Sequence, residues 1–299
     1  MQVFLIRLPF AISGLGLALI ATGNLFKFIS LPASYLCYFL GILIFLTIFL
    51  KLILSWPQTK EDLRSPITAS SFATFFMGLQ LLSAILHLGT VVWGAAALSF
   101  LIYLVWFSWF FALRKDLSLV YPSWVIVYVG IATIAVSGMT YSQQLLSWLS
   151  WLLALILYLL VFPAIVLRLY QFPLKNSQRP LLVILAAPTS LLLVAYLSLE
   201  GWQRWLAVLL LMLSQVIYIW SLYQISCILM QEFSPLWSAL TFPLAISATA
   251  LKLSILRLKL PVIFRYLSFL ESGLVILTVC LILFLYSCFL WSKKQSDVL

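Results

Sequence analysis

The chain has 299 residues, 65% of them hydrophobic and 8% charged, with a mean hydropathy of +1.18 and a net charge of +10. Soluble domains carry about 25% charged residues. No aqueous core hides this much apolar surface, so a soluble enzyme, a nucleic-acid-binding domain, a disordered tail and a disulfide scaffold are all excluded. The apolar runs are long and continuous rather than alternating, which points to membrane-spanning helices and against an outer-membrane barrel.

Runs bounded by charges, Pro and Gly predict ten spans, near 8–26, 32–54, 66–86, 89–113, 122–141, 144–167, 180–199, 204–230, 235–254 and 268–291. The opening stretch resembles a signal peptide, with Arg7, an apolar run and then Ala21-Thr22-Gly23, but is read as the first span. The most polar connections are Ser55–Ser65, Arg114–Tyr121, Arg168–Arg179 and Leu251–Leu267. A single transmembrane domain over residues 1–299 is expected.

Odd-numbered spans begin at Pro9, Pro66, Pro122, Pro180 and Pro235, separated by 57, 56, 58 and 55 residues. Proline suits the first turn of a helix, where its missing N–H costs nothing. The even spacing predicts five copies of a helical hairpin, near 8–54, 66–113, 122–167, 180–230 and 235–291. Eight residues beyond each proline stand Leu17, Thr74, Gly130, Pro188 and Pro243, so a mid-membrane kink recurs in several copies.

Gly, Ala, Ser, Thr and Pro make up 47 of 98 residues in the odd spans (9–26, 66–86, 122–141, 180–198 and 235–254) and 22 of 109 in the central stretches of the even ones (36–54, 91–112, 145–166, 205–229 and 270–290). Small residues let helices approach closely and leave a narrow lumen open, whereas bulky Leu, Ile, Phe and Trp suit a lipid-facing layer. The expected architecture is therefore all-α, with an inner ring of five odd-numbered helices around a central pore and five outer helices.

An even span count puts both termini on one side. Taking that side as cytoplasmic, it carries eleven of the 17 Lys and Arg: Arg7, Lys51, Lys60, Arg64, Arg114, Lys115, Arg168, Lys175, Arg179, Lys293 and Lys294. The outside carries Lys27, Arg204, Lys252, Arg257, Lys259 and Arg265. The majority agrees with the positive-inside rule, which predicts a multi-pass protein of the cytoplasmic membrane. The cluster Lys252, Arg257, Lys259 and Arg265 runs against it. Those four cations either concentrate anions at the mouth or meet anionic lipid headgroups.

Catalytic signatures are missing. The lone histidine, His87, rules out a multi-histidine metal site, and no phosphate-binding glycine motif occurs, so no cofactor, metal or enzymatic role is expected. Cys37, Cys227, Cys280 and Cys288 fall in apolar runs and read as small hydrophobes. The seven acids fall in predicted loops or near span ends. An interior without carboxylates suits an anion, and one without fixed cations binds it weakly enough to let it leave.

Hydroxyls on the odd spans offer that weak attraction: Ser13 beside Gly14 on the first, Ser71 and Thr74 on the third, Thr133 and Ser137 beyond Gly130 on the fifth, Thr189 beside Pro188 on the seventh, and Ser238 and Thr241 before Pro243 on the ninth. The alternative is that they satisfy backbone carbonyls. Phe242, next to Pro243 among small residues, is either a ring that closes a narrow pore or ordinary packing.

Five ordered stretches carry a resemblance. They are Leu8-Pro9-Phe10-Ala11-Ile12-Ser13-Gly14-Leu15 with Gly23-Asn24-Leu25; Asp62-Leu63-Arg64-Ser65-Pro66; Pro122-Ser123-Trp124 with Tyr128-Val129-Gly130; Arg179-Pro180 with Ala186-Ala187-Pro188-Thr189-Ser190; and Thr241-Phe242-Pro243-Leu244. Together the chain resembles the tellurite-resistance/C4-dicarboxylate transporter family, which includes the plant slow anion channels. The resemblance implies ten helices in five hairpins around a pore, a homotrimer with one pore per protomer, and Phe242 at the position of the pore-occluding phenylalanine. It implies transport of small inorganic or organic anions, by a channel or facilitator. The other reading within it is a gradient-coupled exporter of C4-dicarboxylate, sulfite or a tellurite-related oxyanion.

Overall fold

Proline and glycine place the breaks in a chain that is otherwise helix from end to end. The computed structural model describes residues 5–6, 8–27 and 29–295, with side chains up to 291; Arg7 and the side chains of Lys293 and Lys294, counted above among the cytoplasmic cations, lie outside this set. Among the described residues there is no strand, and nine helices are long and apolar enough to cross a membrane. A tenth apolar helix, Ile12–Phe26, has 15 residues and lies in the first predicted span.

Burial separates the helices as composition predicts. In the third, fifth, seventh and ninth spans, 67%, 72%, 89% and 72% of the most apolar stretch is buried within the protein. In the second, fourth, sixth, eighth and tenth the figures are 28%, 33%, 17%, 33% and 22%, so most of their surface faces outward. The first helix joins the buried group, with twelve of its residues inside. Small residues are what allow five helices to close on one another at this density.

The ring follows chain order. The first helix packs on the third span (Pro66–Ile85), the third on the fifth, the fifth on the seventh, the seventh on the ninth, and the ninth returns to the first. Each outer helix packs on the inner one before it. Three such pairs are hooked by a side chain reaching the inner helix's backbone carbonyl, Ser34 to Gly23, Tyr103 to Ala69 (2.6 Å) and Tyr286 to Pro235, and Trp151 of the sixth span reaches forward to Leu192 of the seventh (3.0 Å). Inner helices are also tied laterally, by Ser70 to Ser123 (2.6 Å) and between Ser190 and Ser247 (2.8 Å).

The recurrent kink position is realised in three of five copies. The fifth span breaks at Gly130 between the helices Trp124–Val129 and Ala132–Gly138. The seventh and ninth change from 3-10 winding (Asn176–Ala186, Pro235–Leu240) to α winding (Ala187–Ser198, Thr241–Leu258) close to Pro188 and Pro243. Proline there supplies no N–H to the carbonyl four residues back, which favours tighter winding before it. The third span runs unbroken through Thr74, and the first through Leu17.

Several connections are shorter or more ordered than expected. A helix Trp56–Asp62 occupies most of the second-to-third connection. Between the fourth and fifth spans, Asp116 accepts bonds from the Ser118 hydroxyl (2.7 Å) and backbone N–H (2.9 Å), which hold its carboxyl below the usual range. His87 lies in the turn after the third span with φ of 50°.

The predicted Leu251–Leu267 connection shrinks to residues 259–262. The ninth helix runs to Leu258, ends at Lys259 with φ of 53°, and the tenth begins at Ile263. Lys252 and Arg257 are therefore helical residues, and of the two only Arg257, near the helix end, is exposed. The earlier start of the tenth helix corrects a second expectation. Glu271 is not at a span end: it is the ninth residue of its helix and is 1% exposed.

Candidate functional site

Five spans contribute to one cavity at the centre of the ring, of about 40 Å³. Gly14 comes from the first, Ser71 and Thr74 from the third, Gly130 from the fifth, Pro188 from the seventh, and Ser238, Phe242 and Pro243 from the ninth. The rest of its wall is apolar, including Met77, Val129, Ile184, Leu191, Leu236 and Ala239. Among the described residues no charged side chain lines it. Its volume is close to the share of a single water in the liquid, about 30 Å³, so the ring is nearly shut here.

Eight of the lining residues are ones that the sequence singles out, four of them (Thr74, Gly130, Pro188 and Pro243) at the recurrent proline register. The apolar wall is not among them. Met77 and Leu191 sit three residues beyond Thr74 and Pro188 on the same helix faces, a periodicity that would have found them.

The hydroxyls divide. Thr74 Oγ1 lies 2.7 Å from both Ser13 Oγ and the Ser71 carbonyl oxygen, and Ser13 donates to the Phe10 carbonyl at 2.6 Å. Ser238 and Thr241 donate to the carbonyls three residues back, Pro235 (3.1 Å) and Ser238 (2.7 Å). Ser13, Thr133, Ser137, Thr189 and Thr241 do not line the cavity. Thr133 pairs with Gln80 Oε1 at 2.5 Å, and Ser137 accepts from Trp93 Nε1 at 2.8 Å, so both fasten neighbouring helices. Thr189 Oγ1 is buried without a partner. Ser71 faces both the cavity and the chamber described next.

That chamber, of about 280 Å³, adjoins the cavity and shares Ala11, Ser71 and Leu236 with it. It lies at the proline-bearing ends of the inner helices, against Pro9 and Pro235, and its wall contains one ion pair. Lys51 Nζ is 2.7 Å from Asp62 Oδ2 and donates to the Leu8 carbonyl at 2.7 Å, with its charge 4.4 Å from the centre of the Phe10 ring. By sequence Lys51 counts among the cytoplasmic-side cations, near the end of the second span. It lies on the inward face of an outer helix, at 1% exposure, one helical turn before the span ends.

At the opposite end, Lys252 donates to the Leu25 carbonyl at 2.5 Å and joins the ninth helix to the first. Arg257, Lys259 and Arg265 are exposed, and none of the four lines the central cavity. Phe242 is 6% exposed, with its ring in the cavity wall beside Pro243.

A second buried polar group stands away from the axis. Both Glu271 carboxyl oxygens, Tyr218 Oη and Gln215 Nε2 are buried without a hydrogen-bond partner, and Gln215 and Tyr218 on the eighth helix lie beside Glu271 on the tenth. Among the described residues no group of His, Cys, Asp and Glu could hold a metal ion.

Comparison with known proteins follows the geometry. A search of the curated proteins gives no significant match. A family model described as voltage-dependent anion channel matches residues 2–289, nearly the whole chain. The family moves anions across membranes, which agrees with a helical ring whose axis carries no acid. With its polytopic helical fold and that match, the chain belongs to the voltage-dependent anion channel (SLAC1) family.

Proposed function

We propose that this protein conducts small anions down the axis of its inner ring, with the Phe242 ring as a steric gate. The observation that carries the reading is the cavity of about 40 Å³ itself, formed by all five inner spans and walled on one side by Phe242. Its lining is weakly polar and uncharged, so a permeating anion is neither repelled by a carboxylate nor trapped by a fixed cation. The volume suits a monovalent inorganic ion rather than a C4-dicarboxylate, and flux follows the electrochemical gradient.

The protein works in the cytoplasmic membrane with both termini inside, in keeping with the distribution of Lys and Arg. By family resemblance it assembles as a homotrimer with one pore per protomer. The hairpin repeats near 8–54, 66–113, 122–167, 180–230 and 235–291 are the units of the ring. The test is single-channel recording of the purified protein in planar bilayers across chloride, nitrate, sulfite and malate. Anion-selective current that rises in Phe242→Ala supports the reading, and unchanged current in a correctly folded variant refutes the gate.

One observation favours the coupled-exporter reading. Glu271 is an intramembrane carboxyl, a residue type that membranes retain for proton or ion coupling. Proton-dependent uptake into proteoliposomes that is lost in Glu271→Gln would establish that reading in place of passive conduction.

A further inference from the structure

On the outer surface, between the second and fourth spans, lies an apolar groove of about 760 Å³ that the anion pathway does not use. Its wall is built from Phe72, Phe76, Tyr103, Trp106 and Phe110, and its far end reaches Ser99. The hydroxyls along it are already satisfied: the Tyr103 hydroxyl donates to the Ala69 carbonyl at 2.6 Å, and Ser99 donates to Ala95 at 2.7 Å. Such a wall offers hydrocarbon contact and nothing else.

Charge is confined to one end. Lys60 and Arg64 line that end of the groove, and the Arg114 guanidinium lies 4.5 Å from the centre of the Phe110 ring. Glu61 is the acid nearest Arg64, at 2.9 Å, but both side chains are 63% exposed, so water screens the pair. Lys60 has no ion-pair partner among the described residues. Asp62, the other nearby acid, is already held by Lys51.

Length identifies the occupant. From Ser99 to Phe110 the fourth helix rises about 16 Å at 1.5 Å per residue, which matches one leaflet of a hydrocarbon core about 30 Å thick. A spanning helix of another subunit would need a groove twice as long. We propose that this groove is a binding site for one anionic phospholipid of the cytoplasmic leaflet. Its acyl chains lie along Phe72, Phe76 and Trp106, and its phosphate meets Lys60 and Arg64, with Arg114 beside them. The site depends on the membrane topology and not on the anion-conduction reading.

Native mass spectrometry of the full chain in detergent tests it, with phosphatidylglycerol and phosphatidylcholine of identical acyl chains titrated as probes. One phosphatidylglycerol per protomer is expected to bind more tightly than phosphatidylcholine. Lys60→Gln with Arg64→Gln should weaken phosphatidylglycerol by about thirtyfold, and phosphatidylcholine, whose phosphate is offset by its own choline cation, by much less. Ser99→Trp, at an exposed position on the groove floor, should weaken both. Equal affinity for the two lipids in the native chain, or an unaltered preference in the double variant, overturns the proposal. So does efficient disulfide cross-linking of protomers through Ile102→Cys, which would make the groove an interface between subunits.

Discussion

Lys51 and Asp62 form an ion pair at 2.7 Å that joins an outer helix to the short helix leading into the third span. The pair borders the chamber next to the central cavity, and the ammonium also holds the Leu8 carbonyl at the approach to the first helix. One cation thus fixes three chain segments at one mouth of the ring.

Breaking that pair is expected to be costly. Asp62→Ala leaves the Lys51 charge with one carbonyl and one aromatic face; because Asp62 is 25% exposed and the pair borders the chamber, the loss falls below the about 3–5 kcal/mol of a fully buried pair. Thermal unfolding of the detergent-solubilised protein should show a clear loss for Asp62→Ala and for Lys51→Ala. The double variant Lys51→Met with Asp62→Leu should recover part of it, because neither charge is then stranded.

Phe242→Ala removes an aromatic ring from the cavity wall. If the ring is the barrier, removing even ~1.4 kcal/mol of it multiplies flux about tenfold, and bilayer recordings should show at least that rise. Phe242→Leu, which keeps much of the volume, should fall between. Phe242→Trp should reduce current below that of the native chain.

Gly130 is one position where the ring leaves no room for a side chain. A Cβ there would collide with the Ile126 carbonyl and come within 2.8 Å of Met77 Sδ and 3.0 Å of the Phe100 ring. Gly130→Ala is expected to destabilise by about 1–3 kcal/mol, and Gly130→Val by more, read as lost monodisperse protein on size-exclusion chromatography. Gly94, with open space around it, should accept alanine without loss.

Glu271 separates shape from charge. Both its carboxyl oxygens lack partners in the protein, so Glu271→Gln keeps the volume and removes an ionisable group at no packing cost. Its melting temperature should equal or exceed that of the native chain. Glu271→Lys places an unpaired cation in the same apolar surroundings and should prevent accumulation of folded protein.

Much of the ring was legible before any coordinates. The five prolines at near-constant spacing and the contrast between small and bulky residues named the inner and outer helices, because close approach of backbones leaves no room for large side chains. The kinks at Gly130, Pro188 and Pro243 were equally readable, since the loss of a side chain or an N–H acts locally. The roles of individual hydroxyls were not. Thr133 stands eleven residues beyond its span's proline, as Met77 and Leu191 do in theirs, yet it pairs with Gln80 between helices while those two line the cavity. Helix rotation decides that difference, and rotation is set by neighbours distant in sequence.

By itself the sequence determined that lipid is the solvent, which helices are buried and where they bend, because hydropathy, residue size and proline chemistry are properties of short segments. Only the tertiary structure decided that Lys51 turns inward to Asp62, that Glu271 is enclosed between the eighth and tenth helices, and that the central cavity closes to about 40 Å³. Each of these depends on charges and volumes from segments far apart in the chain meeting across the ring, and no local pattern encodes where they meet.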